Sequence, residues 1–411
     1  MAWAGCAAVL LESLHIPRVL RGFDAGDADV FDVRIDGAQV AAIAPAAVQK
    51  ARGLLISAPV DAHVHIDKAF TVREVGAASG DLFAAIERTA RHRAGWPAAH
   101  YAGRMERAVH EAWRCGTRAL RTHLDWPEAQ APESLACFEQ LRERWRERMT
   151  LQFASLTPLD VFADAQAGQR IAAAVRRADG VLGAFVYRND SIVHKLGRVF
   201  DLAQEFGLAL DFHVDEGLDA DATGLRAIAQ LALARSFAQP ITCGHACSLS
   251  AQDAAQARDT LRLCAQAGIA LVALPTTNLY LQGAWDQTPR PRGITRIREA
   301  ADEGLRACLA TDNVQDAFYP YGSHDLLQVF GLGVQMAHLA PALDWLGTIT
   351  LAPAHALRLG WSGRIAPGCP ADLVRLAAAD EHDLLHPQGL RRTVIRNGLA
   401  LPPDTPEDFF T

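Results

Sequence analysis

From residue 57 onward, short apolar runs of β character alternate with longer stretches rich in Ala, Arg and Glu, and this alternation restricts the possible folds more than any other feature. Runs separated by helical stretches build a parallel sheet with crossover helices. Counting them gives eight, ending near His65, at Arg121-Thr122-His123, at Phe153 to Thr157, at Ala184-Phe185-Val186, at His213, at His245, at Leu271 to Pro275 and at Asp312. Eight such units predict an α/β fold, a closed (β/α)8 TIM barrel, with its chemistry at the carboxyl ends of the strands. The helical stretches between them are Gly80 to His92, Gly103 to Cys115, Gln169 to Arg177, Val193 to Glu205, Leu225 to Ala234, Ala251 to Gln266 and Thr295 to Glu303.

Outside the barrel, Val30 to Ile35 and Gln39 to Ile43 alternate around a turn at Asp36-Gly37, and Asp372 to Leu376 and Arg392 to Arg396 precede a turn at Asn397-Gly398. Such terminal segments are expected to pair as one small β-sandwich domain. The expected division is residues 1–56 for its N-terminal part, 57–355 for the barrel and 356–411 for its C-terminal part. A net charge of -7 with 21% charged residues describes an ordinary soluble protein without a basic face for nucleic acid. The eight cysteines are scattered with no CxxC pair, so reduced thiols and a cytoplasmic location are expected. No apolar run is long enough for a membrane span, and no positive residue precedes the apolar N-terminus as in a signal peptide. The oligomeric state is open, a homo-oligomer included.

His63 and His65 close the apolar run Leu54 to Ala62. Residues two apart on a strand share a face, so both imidazoles leave one strand end in one direction. His213, His245 and Asp312 then follow three further runs, giving three histidine-bearing strand ends and one carboxylate. That set suits a divalent cation such as Zn²⁺ or Fe²⁺. On residues alone, His245 stands with the ligands, while Asp312 has the alternative of capping a helix. His123 and Asp125, also at a strand end, suit either support of the ligands or packing. Cys243 and Cys247 flank His245 but read as small core residues, and His324, His338 and His355 are assigned to helices.

The blocks Asp61-Ala62-His63-Val64-His65-Ile66-Asp67-Lys68, Arg121-Thr122-His123-Leu124-Asp125, Asp211-Phe212-His213-Val214-Asp215-Glu216, Gly244-His245, Asn278 to Gly283, Pro291 to Arg296 and Thr311 to Asp316 occur in one order. In these blocks the chain resembles the amidohydrolase superfamily, and within it the cytosine deaminase branch. The resemblance implies one divalent metal, Zn or Fe, on His63, His65, His213 and Asp312, with His245 a catalytic neighbour. Two-metal members use a strand 4 lysine, and here no lysine lies between Lys68 and Lys195. The implied reaction is hydrolytic deamination of a ring carbon, with Asp312 taking a proton from water, Glu216 carrying it to ring nitrogen and amine, and His245 stabilising the developing charge.

Where cytosine deaminases carry a glutamine and a second aspartate for the pyrimidine, this chain has Leu159 and Asn313, and Phe318 stands for a tryptophan. Specificity is therefore expected to move away from cytosine while the chemistry stays. Leu159, Gln282, Trp285, Asn313, Asp316 and Phe318 are the candidate contacts for a flat nitrogen heterocycle of pyrimidine, pterin or triazine type. The Asp67-Lys68 and Asp312-Asn313 pairs also resemble triazine aminohydrolases acting on N-alkylammelides; the roles of Asp67 and Lys68 are open. A dihydropyrimidinase-like cyclic amide hydrolase and a non-catalytic heterocycle-binding barrel are the alternatives.

Overall fold

The computed structural model describes residues 8–78, 80, 82–386 and 391–402. Four strands come first: β1 (Val9–His15), β2 (Val30–Asp36), β3 (Gln39–Pro45) and β4 (Leu54–Ser57). β2 and β3 form a hairpin in which Asp36 pairs with Gln39, and Gly37 takes the left-handed φ of 55° that the tight turn requires.

The barrel strands follow in sequence: β5 (Val60–Val64), β6 (Ala119–Asp125), β7 (Thr150–Pro158), β8 (Leu182–Val186), β9 (Leu210–Val214), β10 (Ile241–His245), β11 (Ala270–Ala273) and β12 (Arg306–Leu309). They lie side by side in chain order, and a parallel bridge between Val64 and Asp312 joins the first edge to the last. β5, β9 and β10 are buried at every position, as expected of parallel strands covered on both faces. Helix starts follow the caps. Asp164 accepts from Gln166 N–H and Asp253 from Ala255 N–H, which places these helices at Ala165–Arg177 and Ala254–Gln266, a few residues from the starts expected at Gln169 and Ala251. Residues 79 and 81 lie outside the described residues, and the helix expected from Gly80 runs Leu82–Arg93.

Two of the three histidines assigned to helices are not in them. His324 precedes the capping residue Asp325 of Leu326–Met336, and His338 follows that helix with a φ of 52°; His355 is helical, within Leu351–Ala356. The last strands are β13 (Leu373–Leu376), β14 (Arg392–Arg396) and β15 (Leu399–Ala400). β13 runs antiparallel to β4, with Val374 opposite Ile56, so both termini share one seven-stranded sheet ordered β15-β14-β13-β4-β1-β2-β3. Its core holds Leu14, Phe31, Val33, Ile35, Leu55 and Leu373, all 1% exposed or less.

The described residues fall into two compact units, one within 1–60, 111–118 and 325–411 and the other within 61–110 and 119–324. Every site residue discussed below belongs to the second. Among the described residues no helix is long and apolar enough to cross a membrane, and the seven described cysteines are free thiols.

Candidate metal centre and active site

The strand ends bring together the histidines and the aspartate that sequence spacing singled out. His63 lies on β5 and His65 just beyond it, His213 lies on β9, His245 ends β10, and Asp312 follows β12. All five are 3% exposed or less. His65 Nε2 stands 3.2 Å from Asp312 Oδ1 and 3.1 Å from His213 Nε2, and His63 Nε2 is 3.5 Å from Asp312 Oδ1. His245 and Asp312 have left-handed φ values of 69° and 61°, a conformation that costs an L residue free energy and recurs where a site needs a chain bent sharply.

The donor set fits a divalent cation. His65 Nδ1 donates to the His123 carbonyl at 3.3 Å, which fixes the tautomer and leaves Nε2 as a lone pair facing that of His213. Two such lone pairs at 3.1 Å repel unless a cation or proton lies between them. Among the described residues, both ring nitrogens of His63, Nδ1 of His213 and both carboxylate oxygens of Asp312 are buried without a hydrogen-bond partner. Orphaned groups of this kind are rare in folded proteins, and a cation bound among them would satisfy them. Burial, with the Lys68 charge next, pulls His65 down to about 3, and burial and the surrounding histidines hold His213 well below its usual value. Both rings are thus in the neutral form a metal takes. Burial would raise Asp312, yet the closeness of His63 and His65 outweighs it and keeps the group a carboxylate.

A further layer of polar groups holds this cluster. His123 lies inside it: its ring centroid is 4.0 Å from that of His63, and its Nε2 is 3.1 Å from Asp211 Oδ1. Its nitrogens come within 4.8 Å of those of His63, His65 and His213. Arg121 donates to the other Asp211 oxygen at 2.9 Å. Asp61 accepts from both the N–H and the hydroxyl of Thr311, at 3.2 and 2.6 Å, tying β5 to the segment that carries Asp312.

Glu216 stands on the other side. Its Oε1 is 3.4 Å from His245 Nδ1, which also meets Asn278 Nδ2 at 3.1 Å. Burial first, then the Asp312 charge, raises the Glu216 carboxyl well above its usual range, which favours its protonated form. A buried acid beside an ionised aspartate is the pairing that general acid and base chemistry needs.

These groups open into a cavity of about 250 Å³. His65, His213, Glu216, His245, Asn313 and Phe318 line it together with an apolar wall that includes Leu82, Ile86, Trp126 and Phe185. Of the six expected substrate contacts, Asn313 and Phe318 are on this lining; Leu159, Gln282, Trp285 and Asp316 are not. Leu159 opens the short helix Leu159–Ala163 and is fully buried. Gln282 donates its amide to the Glu216 carbonyl at 3.2 Å. Trp285 is 42% exposed and packs edge-on against Tyr280. Asp316 lies beneath the wall, accepting from Asn313 Nδ2 at 2.6 Å and from the Phe318 and Tyr319 N–H groups.

Three charged residues of the lining form one group: sequence reasoning left the roles of Lys68 and Asp125 open and did not name Arg93. Lys68 Nζ is 2.6 Å from Asp125 Oδ1, and Arg93 donates to Asp125 Oδ2 at 2.7 Å. A signal existed for two of them, since Lys68 follows His65 by three positions and Asp125 ends β6.

Known proteins resemble the chain throughout. It is 36% identical to a pterin deaminase of Rhizobium rhizogenes (strain K84 / ATCC BAA-868) over 392 residues, 94% of this chain and 90% of that one. To an N-isopropylammelide isopropyl amidohydrolase of Pseudomonas sp. (strain ADP) it is 22% identical, over 86% and 87% of the two chains. The crystal structure of 5-methylcytosine deaminase from Klebsiella pneumoniae liganded with phosphonocytosine superposes with a TM-score of 0.83 at 25% identity, covering 97% of this chain and 98% of that one. The Amidohydrolase family pattern, Amidohydro_3, matches residues 98–398. On the barrel, the cluster at its strand ends and this match over most of its length, the chain belongs to the amidohydrolase family.

Proposed function

We propose that the protein is a metal-dependent hydrolytic deaminase of a nitrogen heterocycle, with a pterin-type bicyclic ring as its substrate. The observation that carries this reading is the buried cluster of His63, His65, His213 and Asp312 reaching, through His65 and His213, the cavity that the Glu216 and His245 pair also lines. The 36% identity to a pterin deaminase supports the choice of ring, and the flat apolar wall of Trp126, Phe185 and Phe318 suits its faces.

His63, His65, His213 and Asp312 would hold a single cation, Zn or Fe. When bound, such a cation lowers the pKa of water toward about 7 and so makes a nucleophile available at neutral pH. Asp312, held as a carboxylate, accepts the proton lost by the attacking water. Glu216 delivers its proton to the ring nitrogen beside the amine-bearing carbon, takes up the proton of the newly added hydroxyl and passes it to the amine, and is reset by the proton that Asp312 took from water. His245, fixed by Asn278, faces the carbon under attack and stabilises the negative charge that grows on its oxygen. Ammonia leaves and the ring carbon becomes a carbonyl.

β8 reads Leu182-Gly183-Ala184-Phe185-Val186, without the lysine of two-metal relatives, which favours one cation and deamination over cyclic amide hydrolysis. Lys195 pairs instead with Asp160 at 2.6 Å and with Asp190. The test is ammonia release from 2-amino-4-oxopteridine by metal-replete protein, with the 2,4-dioxo product of hydrolysis followed by its absorbance. Conversion with one ammonia per ring supports the reading. Metal-replete protein that releases none from this ring, from aminopyrimidines or from aminotriazines contradicts it.

A further inference from the structure

Lys68 is 3% exposed and lines the cavity, its ammonium 2.6 Å from Asp125 Oδ1 and 5.1 Å from the centre of the Phe318 ring. Asp125 is itself fixed from two sides: Arg93 donates to its other oxygen at 2.7 Å, and its own N–H donates to Asp67 Oδ2 at 3.0 Å. An ammonium carries three N–H donors and no acceptor. Among the described residues Asp125 accepts one of them. Buried donors left without acceptors are costly, so the cavity presents a held positive donor to whatever enters it. Burial alone would favour the neutral amine, but the Asp125 and Asp67 carboxylates outweigh it and keep Lys68 charged. The lining also includes Leu82, Ile86 and Ala90, apolar side chains that offer no hydrogen bond.

We propose that Lys68 is a specificity-determining residue that donates to a ring oxo oxygen of the substrate, with Asp125 as the positioning residue that holds its ammonium in place. This rests on the deaminase reading and narrows its substrates to rings that carry an oxo group beside the amine system. A ring without that oxygen leaves the ammonium desolvated and unpaired, which is the condition under which a site rejects an analogue strongly.

The test compares 2-amino-4-oxopteridine with 2-aminopteridine, which lacks the oxo group, in the wild type, Lys68→Met and Asp125→Asn. Both kcat/KM from ammonia release and the dissociation constants of the two compounds by calorimetry are measured, together with metal content by elemental analysis. A hydrogen bond to a charged donor corresponds to about 10- to 100-fold. The wild type should prefer the oxo compound by about that factor. Lys68→Met should lose it, through KM and binding, and bring the two compounds level with metal content unchanged. Asp125→Asn should reduce the preference less. If Lys68→Met unfolds, Lys68→Gln, which keeps a neutral donor, should give an intermediate preference. Equal losses on both compounds, or an intact preference in Lys68→Met with metal in place, overturns the assignment. Absence of ammonia from both compounds with the wild type overturns the choice of a pterin-type ring instead, and the binding preference still decides the role of Lys68.

Discussion

The backbone N–H of Asp312 donates to the carbonyl of His63 across 2.9 Å, so the bond that closes the barrel also joins the strand carrying His63 to the segment carrying Asp312. Ring closure and assembly of the site are therefore one structural event. Asp61 and Thr311, each immediately beside that junction in its own segment or two residues from it, reinforce it through side chains. Thr311→Val keeps the shape but removes the hydroxyl donor to a fully buried carboxylate, a change that costs about 1–3 kcal/mol. Denaturant unfolding should show that loss. A variant as stable as the wild type would mean the bond carries no net stability.

Gly244 lies against the His63 ring. A Cβ at this position would sit 2.8 Å from Cε1 and Nδ1 of His63, closer than real side chains approach. Gly244→Ala should destabilise the fold by about 1–3 kcal/mol through overpacking and displace a ligand ring, so that metal is lost more readily on dialysis. Unchanged melting temperature and unchanged metal retention would show that the ring has room to move.

Asp211 holds His123 against the ligand histidines and is itself held by Arg121. Groups that support metal ligands in this way contribute roughly 10- to 100-fold to metal affinity or activity. Asp211→Asn should lower affinity by that order in a chelator competition titration, with the fold intact by circular dichroism. An affinity within twofold of the wild type would reduce Asp211 to a packing residue.

Glu216→Gln removes the proton carrier and keeps the size of the side chain. Its kcat should fall by about 10²- to 10⁴-fold, with metal content retained and KM changed little. Ammonia release near the wild-type rate would assign the proton transfer to another group.

Asp316 gives a pH dependence of stability. Burial raises its carboxyl from 3.8 to about 7, against the pull of the Tyr319 N–H and the Asn313 amide. Because the folded value exceeds the unfolded one, its contribution is fully present below about 4 and is lost as pH rises through about 7. Melting temperature should therefore decline from pH 5 to pH 8 in part because of this group, and Asp316→Asn should flatten that decline. Identical slopes in the two proteins would show that Asp316 does not titrate in the window.

The convergence of His63, His65, His213, His245 and Asp312 was legible because parallel strands impose a rule: each apolar run ends at one rim, so these residues had to meet once the runs were counted. Separating His245 from the ligands needed the resemblance, since spacing treats all strand-end histidines alike. The contacts of Gln282 and Trp285 lie in connecting segments, where no periodicity fixes which way a side chain turns. Leu159 sits in a short helix whose packing buried it. The pairing of Lys68, Asp125 and Arg93 was hidden for a different reason: they come from three segments, and only the fold shows that their charges answer one another.

The central claim is that side chains from the ends of β5 and β9 and the segment after β12 hold one divalent cation. Elemental analysis of purified wild type and of His63→Ala/His213→Ala tests it most directly. The account predicts about one equivalent of divalent metal per wild-type chain and almost none in the double variant, with cooperative thermal unfolding in both. Undiminished metal in a folded double variant would contradict it.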